Sequence, residues 1–167
     1  FNWSANAFYD KVNEYILNYY NGDNQRYNNF DADIYGLELS SAAKVSPSVI
    51  LGLDAAMTRG KADFNGNDTD LASIAPVSGK IYAEYNNSDI NAGVRMNFSS
   101  ANDKADSEIT GDIETAGWST VDLYGSFQIN KSVAVLAGVD NLFDKAYQNS
   151  LNRVDPSSGK TYSLYEP

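Results

Sequence analysis

The chain contains no cysteine and no histidine. Thiolate chemistry, zinc sites of the usual kind and imidazole acid–base catalysis are therefore excluded, and most enzyme classes lose their usual catalytic residues. Cations are scarce as well: 12 Lys and Arg stand against 22 Asp and Glu, a formal charge of -10. Phosphate binding needs clustered basic residues and none cluster here, so nucleic acid is not an expected partner. No run of 18 apolar residues is present that would cross a bilayer as a helix. The opening stretch FNWSANAFYD lacks the basic region, apolar run and small-residue cleavage site of a signal peptide. Mean hydropathy is -0.42. That value suits a soluble protein, but it also suits a membrane β-barrel, whose strands average apolar and polar positions to a polar composition.

What the sequence does have is alternation. In INAGVRMNFSS, Ile90, Ala92, Val94, Met96 and Phe98 alternate with Asn91, Gly93, Arg95, Asn97 and Ser99. One face is apolar and the other small, polar or charged, which is the period of a strand with two different surroundings. The same period runs through Val49 to Met57, Val121 to Ile129 and Tyr35 to Ala43, and less cleanly through Val77 to Tyr85 and Val133 to Val139. Trp3 to Tyr19 changes face near Tyr9, as a bulge would make it. About seven strands are expected. A strand of about ten residues rises roughly 33 Å, and a tilt of about 45° brings its height near the ~25 Å apolar band of an outer-membrane barrel.

The connections alternate in length. Val45 to Ser48, Asn86 to Asp89 and Asn130 to Ser132 are tight turns, whereas Lys61 to Ala75, Ala101 to Ala116 and Gln148 to Pro167 are long, polar and acidic. In an up-and-down barrel all the turns then fall at one end and all the loops at the other. The turns recur about every 41 to 44 residues, a hairpin period rather than a solenoid repeat. Tyr35, Tyr85, Phe98 and Phe127, with Trp118, are placed to form aromatic girdles at the membrane interfaces. The expected fold class is all-β, an antiparallel transmembrane β-barrel segment. A soluble β-sandwich also alternates, carries aromatics and has polar loops, so on pattern alone it stays open.

VDNLFDKAY, Val139 to Tyr147, resembles the end of the penultimate strand in TonB-dependent outer-membrane receptors, with Asn141, Leu142, Phe143, Asp144 and Tyr147 as its signature positions. FYDKVNEYI (Phe8 to Ile16), YGLEL (Tyr35 to Leu39), TAGWSTVDLYGSFQI (Thr115 to Ile129) and YEP (Tyr165 to Pro167) resemble further segments of that family in matching order. Ala116 stands where the family commonly has Pro. The resemblance implies that residues 1–167 form the C-terminal portion of a receptor barrel, about seven strands of a presumed 22-stranded wall. The plug and the segment that engages TonB are absent from the sequence, and open sheet edges are costly in hydrocarbon, so a larger parent receptor is expected. By resemblance that parent sits in the outer membrane of a Gram-negative bacterium. It imports a metal chelate, a ferric siderophore, copper or similar, with a loop pattern closer to the copper branch. The implied partners are outer-membrane lipid, the rest of the barrel and its plug, TonB, and the metal-chelate ligand. A passive porin or small closed barrel is the alternative membrane reading.

No enzymatic activity and no cofactor are expected. Glu38, Asp54, Lys80, Glu84, Arg95, Asp122 and Asp140 are predicted to face the lumen, where contact with a plug or solute competes with the plainer role of solvating the bore and pairing with one another. Val133, Val135, Ala137 and Val139 are expected to face lipid, with Asp140 and Asn141 turned inward. The loop ADFNGNDTD offers Asp63, Asn65, Asp68 and Asp70 as oxygen ligands for calcium, although Gly66 and Ile74 break the EF-hand register. Asp103 to Glu114 is a second acidic loop of the same kind. Met57 and Met96 are soft-metal ligand types, but both fall on the predicted lipid face. The sequons at Asn67 and Asn97 are expected by chance in an Asn-rich chain.

Overall fold

The computed structural model describes residues 1–21, 24–104, 109, 110, 112–151, 165 and 166. Its elements are β1 (Asn2–Asn21), β2 (Asn24–Ser46), β3 (Val49–Phe64), β4 (Asn67–Asp70), β5 (Ser78–Asn86), β6 (Ile90–Ser99), β7 (Trp118–Asn130), β8 (Val133–Val139), β9 (Tyr147–Gln148) and β10 (Tyr165–Glu166). They form one antiparallel sheet in the order β1-β2-β3-β5-β6-β7-β8, with β4 paired to β3, and a separate β9–β10 ribbon. Each main strand pairs with its neighbour in sequence apart from the β4 excursion, the up-and-down pattern that alternating connection lengths predict. β1 and β8 do not pair with each other, so the sheet is not a closed small barrel.

The pairing register sorts every side chain to one of two faces, because successive residues of a strand point to opposite sides. One rung runs Trp3, Ser41, Leu53, Ile81, Met96 and Val121 across six strands. The rung beside it, one residue along each strand, runs Ser4, Ser40, Asp54, Lys80, Asn97 and Thr120. A one-residue slip in any strand would exchange the two, so the alternation itself fixes the register. Nothing covers the apolar face among the described residues: Leu37, Leu51, Ile81, Met96, Leu123 and Val135 are 41–53% exposed. A β-sandwich would have buried them under a second sheet.

Local chemistry explains the short turns. Asn87 Oδ1 accepts the amides of Asp89 and Ile90 (2.9 and 2.7 Å), Asn130 Oδ1 accepts that of Ser132 (2.9 Å), and Ser46 Oγ accepts that of Ser48 (3.3 Å). Each turn is closed by a side chain that imitates a backbone acceptor.

The structure departs from the sequence reading in four places. The face change in β1 lies between Val12 and Tyr15, where the register shifts and Glu14 adopts φ 58°, and not near Tyr9. The stretch between Tyr19 and Tyr35 continues the β1–β2 ladder up to the pair Asn21–Asn24, so both strands run well beyond ten residues. Lys61 to Ala75 is not an open loop throughout: Asn65 and Gly66, at φ 55° and 83°, make a two-residue turn joining β3 to β4. Positive φ at both positions is what a type I′ hairpin needs, and Asn-Gly supplies it. Trp118 stands opposite Ser99 on the polar face, one residue out of phase with an interfacial girdle, whereas Tyr35, Tyr85, Phe98 and Phe127 do lie on the apolar face.

Because β1 carries its bulge, Tyr15, Leu17 and Tyr19 turn to the same side as Phe30 and Ala32. There Leu17, Ala32, Ala62 and Leu71 are buried, with Phe30, Phe64 and Ile74 packed around them. This small apolar cluster sits at the end of the sheet away from the short turns and packs β1, β2 and β3 against the segment that follows β4.

Candidate functional site

The polar face is where the charged side chains gather. Three adjacent rungs make its upper half: Asn6, Glu38, Ala56, Ser78, Ser99 and Trp118; then Ser4, Ser40, Asp54, Lys80, Asn97 and Thr120; then Asn2, Ala42, Gly52, Tyr82, Arg95 and Asp122. Six of the seven lumen candidates, Glu38, Asp54, Lys80, Glu84, Arg95 and Asp122, share this face. Asp140 follows the last residue of β8 and stays largely exposed, with Oδ1 3.8 Å from Arg95 Nη2.

Asp122 is the centre of the network. Its Oδ2 accepts from Arg95 Nε (2.9 Å), Arg95 Nη2 (2.7 Å) and Asn97 Nδ2 (2.7 Å), and its Oδ1 accepts the backbone amide of Asn141 (2.9 Å). Its side chain is almost fully buried, while Arg95 remains about one third exposed. A carboxylate is tolerated there because charged and neutral donors satisfy both oxygens. Lys80 Nζ lies 3.5 Å from Asp54 Oδ2, but both are more than a third exposed, so this pair contributes under about 1 kcal/mol. Ser40 also donates to Asp54. Tyr124 Oη donates to Glu84 Oε1 (2.8 Å), and Asn6 Nδ2 to Glu38 Oε2 (3.3 Å). Arg95 stands 5.7 Å from the Tyr124 ring centroid, within cation–π range.

Three aromatic rings on this face lie flat over glycines directly opposite them: Phe8 over Gly36, Tyr82 over Gly52, and Tyr124 over Gly93. A Cβ at Gly36 would stand 2.5 Å from Phe8 ring carbons. The missing side chains are therefore the space the rings occupy.

Near the loop end the polar face opens into a recess of about 660 Å³. Its floor includes Asp54, Lys80, Asn97 and Thr120, and its walls come from Ala75 and Pro76 on one loop and from Tyr147 and Asn149 to Leu151 on another. Trp118 and Tyr147 stack at its side, ring centroids 4.2 Å apart and planes 34° apart. Sequence reasoning missed this pair, because it assigned Trp118 to the opposite face. The loops above are tied together: Ser73 N–H donates to Asp112 Oδ2 (2.7 Å) and Asn102 pairs with Thr115.

The signature residues occupy the exit from β8. Asn141 adopts φ 49° and Asp144 φ 52°. Leu142 and Phe143 are exposed, and Tyr147 opens β9, which pairs with Tyr165 and Glu166 of β10. Pro167 lies outside the described residues, as do parts of the Asp103 to Glu114 and Gln148 to Pro167 loops.

The calcium candidates do not converge. Asp63 Oδ1 accepts the Gly66 amide (2.7 Å), Asp68 pairs with Lys61 (3.5 Å), and Asp70 lies opposite Lys61 on the hairpin. No group of three acidic side chains able to hold a metal is formed among the described residues. Met57 and Met96 lie on the apolar face, and Asn97 of the second sequon is engaged with Asp122.

A family model described as TonB dependent receptor-like, beta-barrel, matches residues 1–142. A search of curated proteins gave no match. Among solved structures, the copper transporter OprC superposes with a TM-score of 0.88 at 26% identity, covering 99% of this chain and 27% of its own. The siderophore receptor PiuA from Acinetobacter baumannii matches with a TM-score of 0.62 at 16% identity, over 87% of this chain and 22% of its own. The ferric-catecholate import receptor Fiu from E. coli matches with a TM-score of 0.61 at 17% identity, over 89% of this chain and 22% of its own. The chain thus spans about a quarter of the length of the structures it matches.

Proposed function

The chain belongs to the TonB-dependent receptor-like β-barrel family, and from that premise we propose that residues 1–167 form the C-terminal part of the wall of a metal-importing receptor in a Gram-negative outer membrane. In this reading the apolar rungs meet lipid and the polar rungs line a bore shared with a plug, in a barrel of about 22 strands. TonB supplies the energy through the parent receptor. The single observation that carries the reading is the sheet with two unlike faces and, among the described residues, no second layer. It matches a wall between hydrocarbon and water, and it fits neither a sandwich nor a small closed barrel.

The cargo we favour is copper. The copper transporter matches nearly the whole of this chain with the higher TM-score, and the two siderophore receptors match less closely. Electrostatics point the same way. Asp10, Glu38, Asp54, Glu84 and Asp122 on the polar face, with Asp140 just past β8, outnumber Arg26, Lys44, Lys80 and Arg95 there, so the bore side is modestly acidic and attracts a cation more readily than an anionic chelate. The lumen side chains solvate that path and pair across it. Calcium in the Asp63 to Asp70 stretch is not part of this proposal.

The test is metal uptake by cells with and without the full receptor gene under metal limitation, with cell copper measured by mass spectrometry and a labelled ferric siderophore in parallel. Loss of the gene is expected to lower copper accumulation several-fold and leave siderophore uptake unchanged. Unchanged copper with lost siderophore uptake would reassign the cargo.

A further inference from the structure

The chain leaves the sheet at Asn141, and each of that residue's four polar atoms has a hydrogen-bond partner there. Its amide donates to Asp122 Oδ1 (2.9 Å) and its carbonyl accepts from Asp144 N–H (2.8 Å). Its side-chain Oδ1 accepts from Lys145 N–H (3.0 Å), and its Nδ2 donates to the Lys145 carbonyl (3.1 Å). The side-chain amide thus pairs with the backbone of Lys145 as a ladder partner would. One residue on, Leu142 N–H donates to the Val121 carbonyl (2.7 Å), so the turn is tied to β7 at two consecutive positions. Two residues beyond Lys145, Tyr147 stacks on Trp118 and begins the recess wall.

We infer that Asn141 and Asp122 are positioning residues, acting through Tyr147 to hold the exit segment as one wall of the recess. Three demands meet at position 141: tolerance of φ 49°, a donor and an acceptor at the right reach. Asn meets all three. Asp lacks the donor, Gly lacks the amide, and Gln is one methylene longer. Asp122 is the anchor because its second oxygen is held by Arg95 and Asn97, so its Oδ1 is fixed in place for the Asn141 amide.

The inference rests on the import reading only where it concerns transport, so its test has an arm that needs no cargo. Residues 1–167 hold no cysteine; with any cysteine elsewhere in the full receptor replaced by Ser, a bimane label on Tyr147→Cys, in detergent, reports contact with Trp118 by quenching. Strong quenching is expected with Asn141 in place and its loss in Asn141→Gly and Asn141→Asp, each still running as a folded, heat-modifiable barrel. In the transport arm, with copper(II) as probe, both variants in the unlabelled receptor are expected to raise the half-saturating concentration by about tenfold while keeping the maximal rate. Tyr147→Ala should give the same shift, and combining it with Asn141→Gly should add nothing further. Quenching retained in Asn141→Gly would overturn the inference, because only backbone tolerance would then matter. Quenching lost with half-saturation unchanged would overturn it as well, leaving a turn with no bearing on the recess. If neither variant assembles while Asp122→Asn also fails, Asn141 is a folding determinant and the inference falls. Failure of the unmodified receptor to take up copper sinks the cargo assignment alone, since quenching still decides the position of Tyr147.

Discussion

Asp122 shows how much one side chain can hold when it is nearly buried and both its oxygens accept hydrogen bonds. Replacing it with Ala strips the partner from Arg95 and Asn97 and leaves the Asn141 amide unpaired. Breaking a fully buried pair costs about 3–5 kcal/mol, and the one-third exposure of Arg95 discounts that. Asp122→Ala is therefore expected to lose roughly 2–3 kcal/mol in urea unfolding of the refolded receptor, and Asp122→Asn, which keeps an acceptor, about half as much. The sequence marked Asp122 as inward-facing from parity alone. It did not reveal what Asn141 does, because the amide pairs with Lys145 only after the backbone has turned to positive φ, and no pattern of residue types encodes that turn. Trp118 was misplaced against the same parity: it stands four residues before Asp122 on one unbroken strand, so the phase that turns Asp122 to the polar face turns Trp118 there too.

The strands were legible wherever alternation was unbroken. Ile90 to Ser99 and Val121 to Ile129 could be assigned from period alone, since the pleat allows only two faces. β1 and β2 were less legible. The extra residue between Val12 and Tyr15 inverts the pattern, and the Asn- and Tyr-rich stretch beyond it belongs to none of the strands the period marks although it continues a ladder. The same residues suit a hairpin standing in water, where one face need not be apolar. Neighbouring residues on one strand supply a sharp contrast in β6. Met96→Lys puts a charge on the apolar rung and is expected to cost about 2–4 kcal/mol near mid-bilayer. Asn97→Lys, one residue along, replaces the amide that holds Asp122 with an ammonium on the polar face and is expected to cost less, about 1–2 kcal/mol. Equal losses in the fraction of heat-modifiable, folded receptor would contradict the assignment of faces.

At the scale of the whole molecule, the proposed placement makes the sheet a boundary between two solvents. Backbone groups are satisfied by ladders between strands, the apolar side needs no partner layer, and the polar side carries its own network of ion pairs and amides. Fold class and the division into an apolar and a polar face were readable from sequence because both follow from residue type and period. The recess was not readable, since its walls come from loops brought together by the sheet's register rather than by any local pattern. The most direct test is a nitroxide scan of β6, Ile90–Ser99, one cysteine at a time, in the full receptor reconstituted into lipid. Collision with oxygen should peak at 90, 92, 94, 96 and 98, and collision with a water-soluble nickel reagent at 91, 93, 95, 97 and 99. Two profiles in phase, or no period of two in either, would contradict a wall with lipid on one side and water on the other.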